Sequence, residues 1–233
     1  MAGSIALSNI PAIRQALTKY GLVNLKLQNA ILAVVGKESQ FKPQSENLNY
    51  TTAARLKAVF SRIPDNLINS LLKNPIALGN YVYGGSYGTP ANEGFLYRGR
   101  GLNQITYKNQ YKTIGKALGI DLIQNPDLLN KLENAAAALA IYYKNAITSN
   151  RQKIINKYNV DLSNIKPTDN QDIILKAVTN LNAGLGASQS LVNSEYGKAL
   201  VYLKLINKEP VINTNKIILP LVLGAALLYF AFK

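Results

Sequence analysis

The sequence predicts a mainly α-helical chain that ends in one apolar, membrane-spanning helix, and three observations carry this expectation. Apolar residues recur at helical spacing through most of the chain. Strand-like alternation is rare, and there is no internal repeat. Every residue of 217–232 is apolar, Gly or Pro except the amphipathic Tyr229. The expected organisation is a folded domain over 1–206, a polar linker over 207–216 broken by Pro210, and an anchor over 217–233.

Residues 1–20 scatter Ile and Leu around Arg14 and Lys19 with no continuous apolar core, so no secretory signal is expected there. Leu25, Ala30, Ile31, Val34 and Val35 predict a buried helix running up to Glu38. A second helix is expected over 51–60, with Thr51 or Thr52 as its N-cap, and a short third over 66–72. Residues 75–83 lead into a glycine-rich loop over 84–90, and helical periodicity resumes over 108–118, 135–146, 172–181 and 188–205. The long irregular middle is where binding residues are expected, because loops on a rigid scaffold carry them. The run 217–232 is slightly shorter than the ~20 residues of a standard span. Lys216 and Lys233 flank it, however, and lysines at span ends snorkel to the interface. Being apolar all round, it suits lipid better than a single protein surface.

Composition narrows the chemistry. At 233 residues and 48% hydrophobic content the chain can bury a substantial core. Twenty-six Lys and Arg against twelve Asp and Glu give a formal charge of +14, which favours a polyanionic partner. Nucleic acid is disfavoured, because the lysines are dispersed and no nucleic-acid motif is present. With no Cys and no His, the chain has no thiolate nucleophile, no Ser-His-Asp or Cys-His mechanism and none of the usual zinc ligands. No metal or cofactor is implied, and carboxylates remain for acid/base work.

The only two carboxylates in the first 64 residues are Glu38 and Glu46. Glu38 closes an apolar helix, where burial would raise its pKa; Glu46, among Ser45, Asn47 and Asn49, is expected to stay ionised. Two acids with separated pKa values are what glycosidic cleavage needs. By spacing alone the stronger reading is two surface charges at a helix end. Tyr50, Tyr83, Tyr97 and Tyr111 offer flat faces for sugar rings or, alternatively, core packing. Arg98 and Arg100 offer fixed donors, with an ion pair to a structural acid as the other reading of Arg100.

The neighbouring motifs decide between these readings. Glu38-Ser39-x-Phe41 followed by Glu46-Asn47-Leu48-Asn49-Tyr50, with Tyr97-Arg98-Gly99-Arg100-Gly101-Leu102-Asn103-Gln104-Ile105-Thr106, resembles glycoside hydrolase family 19, the chitinases and lysozyme-like phage or bacterial endolysins. Ala16-Leu17-x-x-Tyr20-Gly21, Asn80-Tyr81-Val82-Tyr83-Gly84-Gly85, Asn125-Pro126-Asp127-Leu128-Leu129 and Ala177-Val178-Thr179-Asn180-Leu181-Asn182-Ala183-Gly184 stand in the matching order, over about residues 16–200. The resemblance implies a lysozyme-like domain in which Glu38 is the general acid, Glu46 the general base and Thr106 a hydroxyl that helps hold the attacking water. It gives Gln104 and Asn182 substrate-binding roles beside Tyr50, Tyr83, Tyr97, Arg98, Gln110 and Tyr111. It also implies inversion at the anomeric carbon.

The chain departs from the family pattern at several places. Lys37 stands where the family usually has His, the turn between Glu38 and Phe41 is one residue shorter, and Ser86, Gln110 and Ala183 replace an Arg, an Asn and a Gly. The Glu-Asn-Leu-Asn-Tyr and Tyr-Arg-Gly-Arg-Gly forms look more like the endolysin branch. The expected substrate is therefore peptidoglycan glycan strands, with chitin as the alternative and an inactive wall-binding protein as a third reading. Combined with a bilayer partner for 217–232, this implies a single-pass protein of the internal membrane of a phage virion, or else of a host membrane.

Overall fold

In the computed structural model residues 6–207 are described. Helix α1 (Ile10–Lys19) carries Pro11 in its first turn, where a missing N–H leaves no gap in the hydrogen bonding. It buries only Ile10, Ile13 and Leu17. That sparse stripe at i, i+3 and i+7 looks like scatter along the sequence, and no helix was expected there.

Helix α2 (Leu25–Ser39) is the centre of the larger core. Its cap is Asn24, whose side-chain oxygen accepts from the N–H groups of Lys26 at 2.9 Å and Leu27 at 3.2 Å. Residues 30–36 are buried without interruption, so the helix is enclosed rather than amphipathic. It ends in an unusual turn: Gln40 and Phe41 both adopt positive φ, 52° and 63°. This is the physical form of the shortened loop. Non-glycine residues pay for that conformation in strain, and the fully buried Phe41 ring, set edge-on to Tyr202 at 6.0 Å, offsets it.

Strand β1 (Gln44–Ser45) follows, then α3 (Ala53–Val59), capped by Thr52 as expected, α4 (Ile68–Leu71) and α5 (Pro75–Tyr83). These pack around a second core of Leu48, Tyr50, Leu56, Phe60, Leu78 and Tyr83. Strand β2 (Arg100–Gly101) pairs antiparallel with β1, Gln44 opposite Gly101 and Ser45 opposite Arg100. Helix α6 (Lys108–Leu118) and the long α7 (Leu132–Tyr158) frame a third core that contains Tyr97, Tyr111 and Leu129. α7 runs well past the expected 135–146, because Ile147 and Ile154 continue its buried stripe.

Helices α8 (Gln171–Ala183) and α9 (Gln189–Ile206) pack on α2 and close the larger core. The approach is tight: a Cβ on Gly36 of α2 would lie 2.4 Å from the Tyr202 ring of α9 and 2.6 Å from that of Phe41. The linker from 208 onward and the apolar run 217–232 lie outside the described residues. Among the described residues, no helix is long and apolar enough to cross a membrane.

Candidate active site

The second-to-last residue of α2 is Glu38, whose side chain is only 12% exposed. Its Oε1 accepts from Asn182 Nδ2 at 3.0 Å and from the ammonium of Lys37. The same ammonium, itself almost fully buried, reaches Glu195 Oε2 from α9. A cation thus stands between two carboxylates. Burial raises the Glu38 pKa; the charge and hydrogen bond of Lys37 oppose that, the charge of Glu195 adds to it, the Asn182 amide opposes it, and the net direction is upward. Burial also pushes Glu195 up, but its hydrogen bonds from Lys198 and Lys37 outweigh this and lower it.

Immediately after β1 comes Glu46, 4% exposed. Its N–H donates to Gly99 O at 2.8 Å, which continues the β1–β2 ladder, and its Oε1 accepts from the Tyr83 hydroxyl at 2.7 Å. Oε2 is buried without a protein partner. The expectation that Glu46 sits in a polar loop and stays ionised is corrected here. Pairing with residues 99–101 draws the segment inward, and desolvation pushes the carboxyl up to about 7 against the lowering effects of Tyr83, the Gly99 backbone and Arg98. Both acids are therefore raised, by burial in each case.

The other expected site residues divide into those near the acids and those in the core. Asn182, 5% exposed, is engaged at both ends, its amide nitrogen on Glu38 and its oxygen accepting from Tyr143 OH at 3.2 Å. It orients the acid rather than opening to a sugar. Arg98 lies 4.0 Å over the Phe95 ring, with Nε on the Glu46 carbonyl at 3.3 Å and Nη1 on the Phe95 carbonyl at 2.8 Å. The Thr106 hydroxyl donates to Gln104 O at 2.8 Å, which leaves it acceptor lone pairs. Gln104, 1% exposed, donates Nε2 to the carbonyls of Gln44 and Gly101, so in this structure it ties β1 to β2 rather than facing a ligand.

Three of the four tyrosines expected as sugar platforms are instead core residues. Tyr50 packs edge-on against Phe60 at 5.7 Å. Tyr97 and Tyr111 meet each other at 5.4 Å, and burial pushes Tyr111 up to about 12. Tyr111 OH accepts from Arg100 and donates to the Arg98 carbonyl at 2.7 Å. Arg100, 2% exposed, is held by Asp127 at 2.7 Å, an ion pair to a structural acid. Tyr83 is also buried, but its hydroxyl serves Glu46.

The aromatic surface lies one step further on. Tyr107, held at φ 68° and ψ 141°, stands edge-on to Tyr83 at 5.7 Å and against Tyr87 at 4.7 Å. Tyr87 and Tyr107 line a cavity of about 980 Å³ together with Gln110, Asn145, Asn150 and the loop 183–187. Neither acid lines this cavity; Tyr107 of its wall packs on Tyr83, the partner of Glu46, and Ala183 of its wall adjoins Asn182, the partner of Glu38. Its walls are mostly apolar with a few amides, the usual make-up of a ligand cleft. The strained backbone of Tyr107 is the kind of outlier that gathers at functional sites.

Glu195, Tyr87 and Tyr107 were not read from the sequence as site residues. Glu195 had a detectable signal, since it is the only acid between Asp172 and Glu209.

A mainly helical fold with two buried, raised carboxyls meets what a glycoside hydrolase requires, and the family comparisons define that class. The model of the family described as "Chitinase class I" matches residues 71–198, more than half of the chain. A protein of Haemophilus influenzae described as glycosyl hydrolase family 19 domain-containing is 33% identical over 138 residues, 57% of this chain and 68% of that one. The chain belongs to glycoside hydrolase family 19. Shorter matches run to Chitinase 11 of Oryza sativa, 45% identical over 47 residues, and to a basic endochitinase of Vitis vinifera, 50% over 40 residues. They cover 20% and 17% of this chain, and 18% and 13% of those proteins. The family match begins after Glu38 and Glu46 and contains Tyr83, Arg98, Gln104, Thr106, Gln110 and Asn182.

Proposed function

We propose that this glycosidase cleaves the β-1,4 linkages of peptidoglycan with inversion, with Glu38 as general acid and Glu46 as general base. The observation that carries the reading is the pair of buried, raised carboxyls, each held by a side chain next to the wall of the cavity, Glu46 by Tyr83 and Glu38 by Asn182. A water proton passes to Glu46 Oε2, the oxygen that no protein group engages. The water oxygen bonds the anomeric carbon, and the departing glycosidic oxygen takes the proton of Glu38. Lys37 and Asn182 fix the Glu38 carboxyl, and Tyr83 fixes that of Glu46.

The charge of +14 suits an anionic wall, and the motif forms around Glu46 and Arg98 favour peptidoglycan. The run 217–232 supports a membrane anchor, which together with a muralytic activity fits a protein of a phage virion membrane that opens the wall. A chitin substrate is the second reading, favoured by the relatives named as chitinases. Reducing ends released by the full chain from purified sacculi and from chitin oligomers separate the two. Release from sacculi that disappears in Glu38→Gln supports the proposal; release from chitin alone, or equal release by wild type and variant, overturns it. Recovery of the protein in the lipid fraction of purified particles tests the anchor, and its absence there counts against a virion role.

A further inference from the structure

Among the described residues, Gln44, Glu46 and Gln104, beside the β1–β2 ladder, are three of the six buried side chains that carry polar atoms with no protein partner. Gln44 is 3% exposed, and neither of its amide atoms is engaged. Glu46 Oε2 and Gln104 Oε1 are equally without partners. Such groups are few in folded proteins, and each destabilises the fold if nothing satisfies it. A leucine at position 44 would carry no such cost, so the amide there calls for a reason.

The backbone brings the three together. Gln104 Nε2 donates to the Gln44 carbonyl at 3.0 Å. Its Oε1 lies against Gly99, where an added Cβ would come within 2.6 Å of it, and the Gly99 carbonyl receives the Glu46 N–H at 2.8 Å. Residues two apart in an extended strand share a face. Gln44 and Glu46 therefore point the same way, while Ser45 turns to the other side, where its Oγ accepts from Asn130 at 2.9 Å. The set contains one donor, Gln44 Nε2, and three acceptors, Gln44 Oε1, Glu46 Oε2 and Gln104 Oε1. A water that accepts from Gln44 Nε2 and donates to Glu46 Oε2 and Gln104 Oε1 makes three hydrogen bonds, the usual number for a buried water.

We propose that Gln44 is a positioning residue for Glu46, acting through a water shared with Gln104 to supply a hydrogen bond on the Oε2 side of the carboxyl. This rests on the reading of Glu46 as the general base. The groups around that carboxyl are the Tyr83 hydroxyl from α5, the Gly99 backbone and the guanidinium of Arg98 from the segment before β2, and Tyr50 from the segment after β1. None of them engages Oε2. In Gln44→Leu the donor is lost and the ionised form of Glu46 loses support, so the acidic limb of kcat moves to higher pH. The expected shift is about one unit, a tenfold loss of kcat below the limb with KM unchanged. A residue that only packs moves the melting temperature and leaves the limb in place.

The test measures kcat against pH on the best glycan substrate for wild type, Gln44→Leu and, should that variant not fold, Gln44→Met. A second measurement follows the Glu46 carboxyl by 13C NMR titration in a Glu38→Gln background, with and without the Gln44 substitution. An upward shift of the limb or of the NMR titration supports the proposal, and an unchanged titration in a folded variant overturns it. Wild type that releases no reducing ends from any glycan overturns the glycosidase reading of the site, and the NMR titration then still decides the role of Gln44.

Discussion

Glu38 and Glu46 are separated by seven residues and are both nearly hidden from solvent, but their surroundings contrast. Glu38 ends an enclosed helix and lies in an ionic cluster, with the Lys37 cation between it and Glu195. Glu46 follows a two-residue strand and meets a tyrosine hydroxyl and backbone, with its second oxygen unengaged. The first environment fixes a carboxyl through charge. The second raises it through dryness and leaves one oxygen free to act on a proton. The largest expected effect tests whether both acids belong to one reaction: Glu38→Gln should lower kcat about a thousandfold, the scale of a lost general acid, while circular dichroism and thermal melting show an intact fold. Retention of activity within tenfold would remove Glu38 from the chemistry.

The dryness at Glu46 has a thermodynamic signature. Its folded-state pKa of about 7 lies above the ordinary carboxyl value of 4.5, so the folded state holds a proton that the unfolded chain releases between those values. Stability is therefore fully present below pH 4.5 and declines as pH rises through about 7. In Glu46→Gln that decline disappears, so the variant should be more stable than wild type at pH 8 by up to about 3 kcal/mol, and equally stable at pH 4. Urea unfolding at the two pH values checks this, and the same variant should lose most of its kcat.

The ionic side responds differently. Lys37→Met removes the cation that opposes the raised pKa of Glu38. As the acid, Glu38 must be protonated to act, so losing the cation should extend its activity toward higher pH. Some stability is lost, because Glu38 and Glu195 remain partly buried without the cation between them. An alkaline limb that stays in place would show that another group sets it.

The same contrast explains what was legible in the sequence. Glu38 could be found because the apolar spacing of α2 runs directly into it, and the caps at Asn24 and Thr52 follow from local chemistry. Glu46 could be located but not its environment, since its burial depends on pairing with residues 99–101, some fifty positions away. Tyrosine composition does not distinguish a core ring from a cleft ring: Tyr97 and Tyr111 are enclosed by α6 and α7, whereas Tyr87 and Tyr107 reach the cavity because of the loop geometry before α6. Lys37 reads in isolation as a threat to the acid. Only the packing of α9 on α2 supplies Glu195 to share its charge.

The smallest expected effect bears on the neutral side alone. Tyr83→Phe removes the one side-chain hydrogen bond that lowers the Glu46 pKa and leaves the ring in place against Tyr107. A net hydrogen bond of about 1 kcal/mol corresponds to less than one pH unit. As a base, Glu46 must be ionised to act, so activity falls as pH drops through about 7, and the variant should move that acidic limb upward while leaving the alkaline limb to Glu38 and Lys37. A 13C NMR titration of the Glu46 carboxyl in wild type and Tyr83→Phe checks the upward shift at the carboxyl itself, and an unchanged titration would show that the Tyr83 hydroxyl does not hold the ionised form.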